Sequence, residues 1–178
     1  LLLILGHAVL GQDVKKVQEP EYLGIFFLLD SSTGNLIPLE RVTPEYKIKL
    51  KAMGLGGGRS LLEFKGEKSP IRFKEGQKLE FVVLVASQLT DPQGSLQFFS
   101  LEPLKGKRQI IMATAKVTST TDKSVMSEKA VPFNATKYGT SSFKITAAQS
   151  LPPGEYTLSG TGTHDGFCFG IDPANPKQ

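Results

Sequence analysis

Phe81-Val82-Val83-Leu84-Val85 is an unbroken apolar run, rich in valine. Lys74-Glu75-Gly76-Gln77 precedes it and Asp91-Pro92-Gln93-Gly94 follows it, so the run is bounded by turns and too short for a helix. Apolar on both faces, it predicts a strand at the centre of a sandwich.

Outward from that strand, nearly every segment reads with period two and ends in turn residues. Residues 22–29 are apolar and aromatic, Asp30-Ser31-Ser32-Thr33-Gly34-Asn35 is a turn, and residues 36–42 return as the partner strand of a hairpin. Tyr46-Lys47-Ile48-Lys49-Leu50-Lys51 alternates strictly, which predicts a half-buried strand with Tyr46, Ile48 and Leu50 on one face and three lysines on the other. Gly54-Leu55-Gly56-Gly57-Gly58-Arg59 connects it to Leu61-Leu62-Glu63-Phe64. Strands are also expected from residue 96 to 101 and from 109 to 117, joined through Lys105-Gly106. Residues 118–129 are polar and read as a loop with one helical turn; short strands follow at 131–133, 142–145, 156–158 and 167–171. Strands about every ten residues with turns between them are the mark of a sandwich or barrel. In Leu151-Pro152-Pro153-Gly154-Glu155-Tyr156, the Tyr156 hydroxyl is placed to reach back to the backbone as a tyrosine corner, which favours the sandwich. The expected fold class is therefore all-β: an immunoglobulin-like antiparallel β-sandwich, a single domain after an N-terminal signal segment.

Length and composition agree. The 178 residues suffice for one domain with a sizeable core, and 39% hydrophobic with 21% charged residues excludes both a disordered chain and a protein of many membrane spans. Residues 1–11 carry no Lys, Arg, Asp or Glu and open with Leu1-Leu2-Leu3-Ile4-Leu5. That run falls short of the roughly 20 residues a bilayer span needs and suits the apolar core of a secretory signal, with Val9 and Gly11 placing cleavage before Gln12. The expected organisation is a signal remnant at 1–11, a linker at 12–20, the sandwich at 21–173 and a tail at 174–178. The location is exported, periplasmic or extracellular, with membrane contact only through the signal segment.

The same order of motifs carries a resemblance. Tyr22-Leu23-Gly24-Ile25-Phe26, Leu36-Ile37-Pro38-Leu39-Glu40, the glycine stretch, Gly66-Glu67-Lys68-Ser69-Pro70-Ile71-Arg72-Phe73, Asp91-Pro92, Pro153-Gly154-Glu155-Tyr156 and Phe167-Cys168-Phe169-Gly170-Ile171-Asp172 resemble a group of uncharacterised exported proteins of Acidobacteria and related environmental bacteria. The resemblance implies export and a β-rich fold and brings no activity or functional residues with it.

Chemistry is sparse. The net charge of +4 is spread among alternating lysines such as Lys15, Lys16, Lys47, Lys49 and Lys51, without the basic cluster and interleaved aromatics of a nucleic-acid binder. Gly54 to Ser60 lacks the spacing, the lysine and the following helix of a phosphate loop. His164, Asp165, Cys168 and Asp172 are the nearest approach to a metal set, yet their order fits no zinc or copper motif; His164 reads as a solvated turn residue and Cys168 as a buried small hydrophobe. Cys168 is the sole cysteine, so no internal disulfide forms. No G-x-S-x-G elbow accompanies His164, and Asn134-Ala135-Thr136 is read as a loop feature rather than a glycosylation site. These residues suggest no catalytic, metal or cofactor site. Two functions stay open: a non-catalytic envelope or extracellular module that binds another envelope protein, a glycan or its own copies, and a small exported hydrolase using an unrecognised carboxylate pair among Glu40, Glu63, Glu80 and Asp91. A flat apolar patch or bare edge strand would favour the first; two carboxylates meeting in a cleft would favour the second.

Overall fold

The computed structural model describes residues 17–50, 57–115, 123–124, 126–160 and 163–174. The expected signal remnant, most of the linker, the glycines before Gly57 and the last four residues lie outside these. In chain order the strands are β1 (Phe26–Leu29), β2 (Leu36–Pro38), β3 (Glu40–Val42), β4 (Glu45–Leu50), β5 (Gly58–Lys65), β6 (Arg72–Lys74), β7 (Phe81–Leu84), β8 (Leu96–Leu104), β9 (Lys107–Ala115), β10 (Lys123–Ser124), β11 (Phe133–Tyr138), β12 (Ser142–Ala147), β13 (Gly154–Gly160) and β14 (Gly166–Asp172). Two helical turns interrupt them, α1 (Pro92–Ser95) and α2 (Met126–Lys129). Asp91 caps the first by accepting from the Gln93 N–H at 3.0 Å.

The protein is an all-β sandwich of antiparallel sheets. One sheet runs β11-β12-β7-β1-β2 and the other β3-β14-β13-β8-β9-β5-β4. Two further strands attach to the second sheet: β6 lies parallel to β14, and β10 lies beside β9. The valine-rich run forms β7, at the middle of the first sheet, with Phe81, Val82 and Val83 fully buried. Between the sheets lies the main core, to which Phe26, Phe81 and Val83 contribute from one side and Phe98, Leu158, Phe167 and Phe169 from the other. Phe169 is its hub: the rings of Phe81, Tyr156, Phe73 and Phe98 lie 4.9, 5.5, 5.8 and 6.0 Å from it. The tyrosine corner forms, the Tyr156 hydroxyl donating to the Pro152 carbonyl at 2.7 Å.

A third layer departs from a plain two-sheet sandwich. Residues 96–101 of β8 pair with β13, whereas its last three residues pair with β9. The sheet turns at that point, and β9 and β5 fold back over the outer face of β8, β13 and β14. Phe64, Ile110, Phe99, Leu101 and Cys168 form a second core in the fold. Cys168 therefore packs beneath a sheet, as a buried small hydrophobe.

Three further expectations are corrected. The strand expected over residues 36–42 divides: β2 ends at Pro38, Leu39 turns into the main core, and β3 crosses to pair with β14. Pro38 has no N–H to extend the ladder, which accounts for the break. Strand β4 is exposed along its whole length, so Tyr46, Ile48 and Leu50 face solvent. Among the described residues it ends the second sheet and has only β5 as a sheet neighbour. Asn134 lies within β11, an edge strand of the first sheet, rather than in a loop.

Candidate functional site

Burying β14 on both faces creates a polar problem at its end, because the second core is flanked by charged side chains. Arg108, at the start of β9, is fully buried. Its Nε donates to the Gly66 carbonyl at 3.0 Å and Nη2 to the Lys65 carbonyl at 2.8 Å, while the two terminal nitrogens reach the Glu40 carboxylate at 2.9 and 3.2 Å. Glu155 of β13 stands 3.6 Å to the other side of Arg108; it accepts the Ser69 N–H at 2.8 Å and is paired with Arg72. Arg72 in turn grips Asp172 through Nη2 at 2.6 Å and Nε at 3.2 Å. Charges thus alternate in sign from Glu40 through Arg108, Glu155 and Arg72 to Asp172. Arg72 holds the Asp172 carboxyl below its ordinary range, against the opposing effect of burial. Gly170 makes room for this chain, since a Cβ there would overlap the Arg72 guanidinium. Carboxylates engaged by guanidinium and amide N–H groups are tied to the fold and offer little to a substrate. The network joins β3, β6, β9, β13 and β14 and reads as a structural clasp.

An apolar cleft opens where the third layer diverges from the second. It encloses about 370 Å³. Phe64 and Phe99 are buried at its floor, Leu62, Ile110 and Met112 line one wall, and Tyr46 stands at its lip. Gln97, Ser159, Thr163, His164 and Asp165 form a polar rim. Cross-strand pairing sets Tyr46 opposite Leu62, so the apolar wall continues outward onto Ile48 and Leu50 of β4. Tyr46, Ile48 and Leu50 are 60, 65 and 68% exposed, which among the described residues leaves a bare apolar strip on a strand with one open edge.

Of the residues singled out from sequence, His164 and Asp165 stand on the rim of this cleft and the four carboxylates lie elsewhere. Glu40 belongs to the clasp, Glu63 binds Lys107 and Lys49 at 2.5 and 3.0 Å, Glu80 binds Lys78 and Lys144 at 2.9 and 3.3 Å, and Asp91 caps a helical turn. The structure keeps these four carboxylates with four separate sets of partners. Lys107 and Lys49 hold the Glu63 carboxyl low, and Lys78, against burial, with Lys144 does the same for Glu80. His164 is exposed on the rim, as a turn residue, whereas Asp165 is buried; it accepts from Thr43 and Arg41, each at 2.5 Å, and these bonds lower its pKa. Cys168 faces Thr157, its Sγ 3.6 Å from the hydroxyl, and burial pushes the thiol up to about 11. Asp172 is taken by Arg72. Among the described residues, no three His, Cys, Asp or Glu side chains stand together as a metal set. Arg59 of the glycine stretch lies in β5, opposite Lys49 and Thr114.

No protein-family model, curated protein or solved structure matches the chain.

Proposed function

We propose that the chain is an exported, non-catalytic binding module that takes an extended segment of a partner protein along the open edge of β4. The observation that carries this reading is the strip of Tyr46, Ile48 and Leu50, which among the described residues is uncovered, on a strand with one free edge and continuous with the apolar cleft. An edge strand offers unpaired N–H and C=O groups to a new strand, and pockets for alternate side chains then supply selectivity. Lys47 and Lys49 lie on the opposite face of β4, paired with Glu45 and Glu63 but with about half of each side chain still exposed, so the segment that fits best alternates apolar with acidic residues. The separate location of the four carboxylates supports the binding reading over the hydrolase. Export is supported by the charge-free run at residues 1–11 and by the resemblance to exported β-rich proteins.

A labelled ten-residue peptide of alternating Val and Glu, titrated by fluorescence anisotropy against the full chain, tests the reading. Saturable binding is expected, with Ile48→Glu weakening it at least tenfold through loss of apolar burial and added charge repulsion. Absence of saturation up to about 1 mM, the weak end of specific affinity, or equal binding by Ile48→Glu would overturn it.

A further inference from the structure

Large apolar side chains exposed among the described residues fall into two groups plus Ile37. Three belong to β4; the other four, Val17, Tyr22, Leu23 and Leu89, come from segments far apart in sequence that meet at one end of the sandwich. Leu23 bridges Leu84 at the end of β7, the Gly24 N–H donates to the Leu84 carbonyl at 3.0 Å, and Leu23 and Thr90 line one small cleft. The turn carrying Leu89 is fastened beside the 139–142 turn, Gln88 Nε2 donating to the Ser142 carbonyl at 2.6 Å and the Val85 N–H to the Ser141 carbonyl at 3.0 Å. That same turn captures Glu19. Its carboxylate accepts from the Thr140 N–H and hydroxyl at 2.8 and 2.7 Å, the Ser141 N–H at 2.9 Å and the Ser142 hydroxyl at 2.7 Å. The described chain therefore enters the fold at this end.

We propose that this end of the sandwich rests on a phospholipid bilayer, with Val17, Tyr22, Leu23 and Leu89 entering the interfacial region. Leu89 is 92% exposed at the tip of a turn built by polar residues, its N–H held by the Ser87 hydroxyl at 3.1 Å. Four side chains on two segments fall short of the roughly 20–30 residues a side that a stable protein interface engages, whereas a fluid interface accepts each singly. Tyrosine beside leucine suits the headgroup boundary, where one end of the ring is apolar and the other wet. The chain ahead of Val17 contains the apolar run of residues 1–11, and the Glu19 latch directs its attachment point to this same end. Charge selects the lipid. Among the described residues at this end Arg41 is paired with Asp165, Lys137 is exposed, Glu19 is held by its turn, Asp91 caps α1 and Glu21 is exposed; the sequence adds Lys15 and Lys16 just ahead of Val17, so the charges balance and the preferred bilayer is neutral.

The inference uses none of the β4 residues, and its test is separate. The full chain is sedimented with vesicles of phosphatidylcholine and phosphatidylethanolamine at low and high salt. Binding is expected to be nearly independent of salt, to fall about tenfold in Leu89→Ser and more in Leu89→Ser with Leu23→Ser, and to be unchanged in Ile48→Ser. Melting curves confirm that the variants fold. Failure to bind, or binding that the two leucine variants leave intact because residues 1–11 alone provide it, overturns the proposal. So does a lipid-free dimer, seen by light scattering, that Leu89→Ser dissolves.

Discussion

Replacing Gly170 with alanine tests whether the buried clasp supports the fold. The new Cβ would overlap the Arg72 guanidinium and lie 2.7 Å from Oε1 of Glu155, so Arg72 must leave. Glu155 then loses one arginine but keeps the Ser69 N–H and the neighbouring Arg108. Breaking a buried ion pair from one side costs about 3–5 kcal/mol. Arg72 retains 24% side-chain exposure and Glu155 retains partners, so the expected cost is lower, about 2–3 kcal/mol. Arg72→Met removes the same bonds and should cost about as much. Because both substitutions break one interaction, the double variant should also lose about 2–3 kcal/mol rather than the sum. Urea unfolding followed by circular dichroism at pH 7 measures all three. A Gly170→Ala cost below about 0.5 kcal/mol, the level of an inert surface change, or an additive double variant would refute the argument.

Phe169→Ala should destabilise by about 3–5 kcal/mol because four rings pack on it, while His164→Ala on the exposed rim should cost less than about 0.5 kcal/mol; reversal of this order in urea melts would point to a role for the histidine. Cys168, with its thiol pushed to about 11 by burial, should stay unmodified by a disulfide reagent at pH 8 in the folded protein and react fully in urea. For Glu19, burial raises the pKa, but the bonds from residues 140–142 outweigh it and bring the pKa from 4.5 to about 2. A depressed carboxylate contributes stability present above its unfolded pKa and lost as pH falls through the folded one, so the melting-temperature gap between the protein and Glu19→Gln should be full above pH 4.5 and close toward pH 2.

Sequence pattern reaches some of these features and misses others for physical reasons. The β7 run and the alternation of Phe167, Phe169 and Ile171 are legible because period and turns are local. Alternation in β4 identifies two faces but cannot say whether another layer covers one, so the strip that forms the candidate site looks buried. Leu39 continues an apolar pattern through a point where the backbone changes sheets. Arg108 and Glu155 have no local sign of burial; their partners lie 68 residues away in the case of Glu40 and 83 in the case of Arg72. Gly170, tight against Arg72, is the nearest thing to a signal, and it is readable only once that contact is known.

Strand β14 has a consequence for when the protein can fold. It is last in the strand order, yet it pairs with β3, β6 and β13 and contributes to both cores. Ring closure with β3 spans more than a hundred residues, as in the pairing of Cys168 with Glu40, so most of the chain must exist before either core can seal. Synthesis from the N-terminus keeps the nascent chain open until residues 166–172 emerge. A chain that stays open while it is made is also one that can be threaded, as the export proposed above would require.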